Sequence, residues 1–234
     1  GVAMVHNLIL GAFTMVGSGV DNWVDGREQR RYTPYHIRHR TEVAGMMTIL
    51  HGDNRFYNNI FVQGHPITNE EPKESPFYQQ VGTHVWDEYP TYKEWIAKFD
   101  MEEEKPDMGK LEPAHFSHLP VWADGNVYLA GAKAWKKEKH NLVKDDADVQ
   151  IELVEEDGQY RLSTNLYDYL DGFTTGIINS DVLGKAFEPE QRFEERDGSD
   201  IVFQSDYLGN HRGVSTIPGP FADVKELDEV IWID

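Results

Sequence analysis

The sequence predicts an all-β chain: parallel β coils stacked as in a β-helix, long loops inserted at one rim, one short helix and an antiparallel β tail. Three observations carry this expectation. A short pattern recurs as HNLILG at 6–11, NNIFVQG at 58–64 and GNVYLAG at 125–131. Two Asp-Gly pairs late in the chain stand between runs rich in β-forming residues. One stretch alone carries a convincing helical period.

The recurring pattern puts Asn7, Asn59 and Asn126 at equivalent places, each followed by β-forming apolar residues and then Gly. Asn tolerates the left-handed backbone of a sharp corner, and stacked Asn side chains can bond along a ladder. A coil that turns at Asn, runs as a short strand and turns again at Gly buries itself against like neighbours above and below. The copies lie 52 and 67 residues apart, a spacing that rim insertions accommodate. Three unrelated strands of a β-sandwich fit the same pattern, and the residues alone leave both open.

The first insertion covers about residues 14–41 and runs into RRYTPYHIRHRTEVAG, a segment dense in Arg, His and Tyr. The second covers about 65–120 and is rich in Pro and charge. It holds the helix: Thr91 and Glu94 have capping-box spacing, and Tyr92, Trp95, Ile96 and Phe99 fall on one face. The acidic run MEEEKPD ends it. From about residue 148 the texture changes. VQIELVEEDGQYRLSTNL predicts a hairpin around Asp157-Gly158, ERDGSDIVFQSDYLG another at Asp197-Gly198, and EVIWID a last strand. Coils with inserted loops are therefore expected over 1–147 and an accessory antiparallel region over 148–234. The opening GVAMVHNLIL reads like the middle of a strand, so the chain is expected to be the C-terminal portion of something longer.

Composition narrows the function. Hydrophobic residues make up 39% and aromatic residues 12% of the 234, enough for a core. A net charge of −19 repels nucleic acid and anionic membrane, and leaves neutral or cationic ligands, carbohydrate among them, open. There are no cysteines, which removes thiolate metal sites and cysteine nucleophiles. No apolar run is long enough to span a bilayer as a helix. No phosphate loop, Gly-x-Ser-x-Gly elbow or nucleotide fingerprint is present, so no cofactor is expected. A homo-oligomer remains open.

VHNLILG, YTPYH, HRTEVAG, GDNRFYNNIFVQG, GNVYLAGAKAWKKEKHNLV and PGPFADV, in this order, closely resemble the C-terminal part of glycoside hydrolase family 120. The match is weak over about 14–30 and 70–118. The resemblance implies a right-handed parallel β-helix and a retaining, exo-acting β-xylosidase that releases xylose from xylo-oligosaccharides. It also implies an Asp nucleophile and a Glu acid/base on adjoining rungs, in motifs like WLDWEAQG and FVEVSHGP. Neither motif occurs here, so no catalytic residue is carried over. The pair is expected upstream, on a preceding segment or a companion chain.

A sugar pocket needs aromatic faces for C–H surfaces and fixed donors and acceptors for hydroxyls. Tyr32, Tyr35, His36 and His39 supply both, and Pro34 stiffens the segment. Arg31 is placed to bond a hydroxyl or a catalytic carboxylate. The plain alternative is a loop that locks onto its own framework through the same groups. Within the chain, Glu42 and Asp53 are the best candidates for a carboxylate pair. Against this, Asp53 suits a Gly-Asp-Asn turn with Arg55 as its partner, and Glu42 suits an ion pair with Arg38 or Arg40. His36 with His39, and His115 with His118, have metal-like spacing but lack a third ligand in sequence. Trp23, Trp86 and Trp95 are candidates for stacking, and Trp95 for helix packing. The KKEK run and His140 read as a solvated edge. Two other functions stay open: a β-helical polysaccharide lyase, favoured by the Arg-rich loop, and a non-catalytic carbohydrate-binding or assembly module.

Overall fold

The computed structural model describes residues 1–13, 22–24, 27–29, 32–37, 39–48, 50–64, 80–99, 117–187, 190–222 and 227–231. Its strands in chain order are β1 (Val2–Val5), β2 (Leu8–Ile9), β3 (Asn22–Val24), β4 (Arg27–Gln29), β5 (Tyr32–His36), β6 (Val43–Thr48), β7 (Asn54–Tyr57) and β8 (Ile60–Val62). They continue as β9 (Val121–Asp124), β10 (Asn126–Leu129), β11 (Asn141–Lys144), β12 (Ile151–Glu156), β13 (Gln159–Thr164), β14 (Thr175–Gly176), β15 (Ser215–Thr216) and β16 (Leu227–Ile231). The longest described α-helix is α1 (Tyr92–Ile96); a single helical turn spans Ser180–Leu183. Among the described residues, strands outnumber helices, consistent with an all-β fold.

The three copies of the repeat pair as parallel neighbours. One sheet has the order β1-β7-β9, the other β2-β8-β10-β11, and all of these pairs are parallel. Each copy turns from the first sheet into the second at its Asn. The residue before that Asn is left-handed in every case: His6 at φ 57°, Asn58 at 55° and Gly125 at 71°. A left-handed residue bends the chain sharply within one step, and Gly, Asn and His are among the residues that tolerate that conformation best.

The Asn side chains then bond in one direction. The backbone N–H and side-chain amide of Asn7 both donate to Asn59 Oδ1, at 3.0 and 2.9 Å. Those of Asn59 donate to Asn126 Oδ1 at 2.9 and 3.0 Å. Those of Asn126 donate to Glu138 Oε1 at 3.2 and 2.8 Å. Each amide also donates to a backbone carbonyl: Val5, Met4 and Phe56 respectively. Beside this ladder Phe61 and Tyr128 stack face to face, with centroids 5.0 Å apart and 4° between planes, close to the distance between neighbouring strands.

Glu138 corrects the reading of KKEK as a solvated edge. Its carboxyl is buried, and it ends the ladder while also accepting from Tyr128 Oη at 2.6 Å. Tyr128 Oη in turn bonds Thr83 Oγ1 at 2.7 Å, and Thr83 Oγ1 accepts from Trp135 N. Burial pushes the Glu138 carboxyl up to about 7, against the opposing pull of its Tyr128 and Asn126 donors.

Alternation along the strands divides the apolar residues. Met4, Phe56, Val121 and Ala123 of the first sheet meet Ile9, Phe61 and Tyr128 of the second in one cluster with Trp86 and Trp135. On the opposite faces, Ile60, Val62, Val127 and Leu129 are covered by Leu162, Leu166, Tyr167, Leu170 and Phe221. Val5 and Tyr57 are covered by Ile178, Leu183, Phe193 and Phe203. The late part of the chain therefore wraps both outer faces.

The hairpin β12–β13 turns at Asp157 and Gly158, both left-handed at φ 52° and 79°, the geometry that Asp-Gly favours. β16 adds antiparallel to β13. The second Asp-Gly turn is tighter than expected: it forms a Glu194–Asp200 bridge rather than a described ladder. The α1 capping box is present, with Glu94 N donating to Thr91 Oγ1 and Thr91 N to Glu94 Oε2. Trp95 is buried as the periodicity predicts, whereas Tyr92 is 49% exposed.

Two predictions follow from the corners. Gly125→Ala drives a Cβ to 2.3 Å from Asn58 Oδ1, while Gly131→Ala, also at positive φ, meets nothing within 4 Å. Chemical denaturation is expected to show Gly125→Ala costing about 2 kcal/mol more than Gly131→Ala. The Glu138 carboxyl has a folded pKa above its unfolded one, so its contribution is complete below about pH 4.5 and lost as pH rises through about 7. The stability of the parent minus that of Glu138→Gln is expected to fall across that window by on the order of 3 kcal/mol.

Candidate functional site

The Arg/His/Tyr segment is a β-hairpin. β5 and β6 pair antiparallel, Tyr32 opposite Thr48, with an irregularity between Tyr35 and His36. Pro34 sits within β5, which an edge strand tolerates. His36 Nδ1 bonds Thr41 O at 3.0 Å, and Arg40 grips both carboxylate oxygens of Glu42. That grip holds the Glu42 carboxyl below the usual carboxylate range. At the tip, left-handed His39 bonds Glu194 Oε1 at 2.7 Å, tying the hairpin to a segment 155 residues later. His36, His39 and Glu42 thus come together at the turn end of the hairpin, and each is engaged in holding its shape. Tyr35 is half-buried on the strand. Arg31 and the side chain of Tyr32 lie outside the described residues.

Met46 of β6 forms one wall of a cleft of about 800 Å³. Trp122 of β9 and Arg55 of β7 contribute from the first parallel sheet, Tyr92, Trp95 and Ile96 from α1, and residues 182–187 with Glu190 complete the lining. Arg55 and Trp122 are register partners on adjacent strands, so their side chains share a face.

The cleft wall is built on Asp53 and Arg55. Arg55 is 2% exposed. It donates to Asp53 Oδ1 at 2.7 Å, to Leu183 O at 2.6 Å and to Lys185 O at 2.6 Å. Its guanidinium lies over the Trp122 ring at 4.2 Å and the Phe193 ring at 4.7 Å. The other Asp53 oxygen accepts from Phe187 N at 2.9 Å. A turn aspartate at φ 57° and its arginine thereby fix the backbone from Leu183 to Phe187 against the sheet. Asp53 is half of a buried structural ion pair, with Arg55 the partner the turn reading gave it.

Phe187 then packs edge-on to Trp95 at 4.4 Å, and Tyr92 lies parallel to Trp122 at 6.5 Å. The result is a concave surface lined by aromatic rings and by residues 182–187. Such a surface suits the apolar face of a neutral, hydroxyl-rich ring. Among its described lining groups, Glu190 is the one carboxylate, whereas hydrolysis with retention uses two about 5–5.5 Å apart.

Sequence reasoning singled out Trp23, Trp86 and Trp95 but passed over Trp122 and Phe187. Trp86 is buried in the core between the sheets, and Trp23 lies in β3 with its side chain outside the described residues. The signal for Trp122 was available: Ala3, Arg55 and Trp122 each stand four places before a ladder Asn. Phe187 carries no comparable mark, because the Asp53 contact that positions it spans 134 residues. His118 stacks on Tyr89 at 4.3 Å, and His115 lies outside the described residues.

No protein-family model matches the chain, and none of the curated proteins does. A solved structure of XylC in complex with xylose is similar to it, with 29% identity and a TM-score of 0.76. The match covers 98% of this chain and 32% of XylC, so the chain spans about a third of that protein.

Arg55→Met is expected to cost about 3–5 kcal/mol in urea denaturation, because it strands the Asp53 carboxylate and two buried carbonyls. Lys185→Ala, which keeps the Lys185 carbonyl, is expected to change stability by no more than about 0.5 kcal/mol.

Proposed function

We propose that this chain is part of a retaining, exo-acting glycoside hydrolase, a β-xylosidase acting on xylo-oligosaccharides. In this reading it belongs to glycoside hydrolase family 120. Its stacked strands are the last coils of a right-handed parallel β-helix over 1–147, with 148–234 as an accessory antiparallel region. The observation that carries the reading is the similarity to xylose-bound XylC over nearly the whole of this chain. The aromatic cleft supports it, because Trp122 and Tyr92 offer flat faces to a sugar ring.

The division of labour is chemical. The Asp nucleophile and Glu acid/base of a double displacement come from an earlier part of the polypeptide or a companion chain. This chain supplies substrate wall. The β5–β6 hairpin forms one lip, with Arg31, Tyr32, Tyr35, His36, His39 and Glu42 as its substrate-facing set. The Glu194–His39 bond and the Arg40–Glu42 pair keep that lip rigid, which a selective wall requires.

The test is hydrolysis of a xyloside by the complete polypeptide, compared with Trp122→Ala and His36→Ala. Both variants are expected to raise KM about tenfold, the loss of one stacking or hydrogen-bonding contact. Equal losses of melting temperature and activity would overturn the wall role. Xyloside left intact, with an unsaturated uronate released from an acidic polysaccharide, would replace hydrolase with lyase.

A further inference from the structure

The aromatic cleft carries an ammonium and a carboxylate that the framework leaves unused. Lys185 and Glu190 both line it. Among the described residues neither side chain has an ion-pair or hydrogen-bond partner, and the two do not pair with one another. Exposed lysines elsewhere do find carboxylates: Lys136 reaches Glu88 at 2.7 Å, and Lys144 reaches Asp171. In a chain with 41 Asp and Glu against 22 Lys and Arg, an ammonium left without a carboxylate calls for an explanation.

The backbone beneath both side chains is clamped. Arg55 donates to Lys185 O at 2.6 Å, and Phe187 N donates to Asp53 Oδ2 at 2.9 Å. Ala186 N donates to Gln191 O at 2.7 Å, which closes the turn that Lys185 and Glu190 flank. Lys185 bridges antiparallel to Arg192, whose guanidinium is held in turn by Asp181 and Asp200. Glu190 is left-handed at φ 50°, a conformation that a non-glycine residue keeps where its surroundings impose it. Two charged side chains thus project from a fixed turn while making no contribution to fixing it. Binding groups are placed in this way, because a rigid base lowers the ordering cost when a ligand arrives.

Trp122 and Tyr92 share the lining with them. The aromatic faces take the C–H side of a ring, and the hydroxyls at the ring's edge then need partners of their own. A hydroxyl donates to a carboxylate and accepts from an ammonium. We infer that Lys185 and Glu190 are the specificity-determining residues of the cleft, and that they hold neighbouring hydroxyls of one neutral sugar ring stacked on Trp122. Glu190 accepts from one hydroxyl and Lys185 donates to the next. The two charges cancel, so the cleft favours a ligand without net charge, and substitution at the first hydroxyl removes the donor that Glu190 needs. The ligand class is an undecorated, neutral oligosaccharide. This rests on the proposed function and adds to it the side chains that read the substrate.

Steady-state hydrolysis of xylotetraose by the complete polypeptide tests it, with Lys185→Met and Glu190→Gln as variants. Each is expected to raise KM about tenfold and leave kcat unchanged, the loss of one charge-assisted hydrogen bond made equally to bound substrate and transition state. The double variant is expected to lose less than the product of the two, because both side chains hold one ring. Melting temperature is expected to stay at the parent value, which a structural role for either residue would not allow. An unchanged KM in either variant overturns the inference. So does a loss in Lys185→Met confined to a uronate-branched oligosaccharide, which assigns the ammonium to an anionic group. Xylotetraose left intact by the complete polypeptide removes the glycosidase, and calorimetric titration with xylotetraose then reads the two residues directly. Binding about tenfold weaker in the variants sustains the inference; equal binding, or none by the parent, removes it.

Discussion

The one-way chain of amide hydrogen bonds from Asn7 through Asn59 and Asn126 to the carboxyl of Glu138 sets the geometry of everything else. A buried side-chain amide left unpaired is costly, and each corner here satisfies its neighbour. The ladder therefore admits one vertical spacing and one register. That register puts Arg55 beside Trp122, Phe61 on Tyr128 and Ile60 beside Val127. A carboxyl at the far end suits the polarity: a run of aligned amide donors needs an acceptor at its close, and Glu138 is held there by two donors from Asn126 and one from Tyr128.

The candidate site inherits this framework at one remove. Arg55 presents its guanidinium between two rings and extends three of its donors to the backbone of residues 53, 183 and 185. A polar pair in the sheet thus does for the cleft wall what the Asn ladder does for the rungs: it fixes a distant stretch of main chain. The His39–Glu194 contact does the same for the hairpin. Both anchors reach into residues 183–194, so the two sides of the cleft are referenced to one segment.

The corners were legible because their physics is local. A left-handed residue before an Asn, then apolar β-formers, leaves its mark in each copy, and the Asp157-Gly158 turn and the α1 capping box are equally short-ranged. The cleft was only partly legible. Arg55 and Trp122 could be aligned through the repeat, but Phe187 is placed by a bond to Asp53, for which no nearby residue gives a sign. Glu138 misled for the opposite reason. Its neighbours Lys136 and Lys137 do reach surface carboxylates, at Glu88 and Glu94, and a charged run gives no indication that one of its members points inward. Tyr92 shows the limit of periodicity: it has the spacing of a core residue and the exposure of a surface one.

The wrapping of both outer faces by the end of the chain has a consequence for biosynthesis. Leu129 completes the row Ile60, Val62, Val127 and Leu129, but Phe221, part of its cover, leaves the ribosome last. At ordinary translation speeds that interval is about 5–20 seconds. During it a strip of greasy, strand-forming surface stands naked on the nascent polypeptide, and a holding chaperone or a slow stretch of message between those two points would have its greatest effect there.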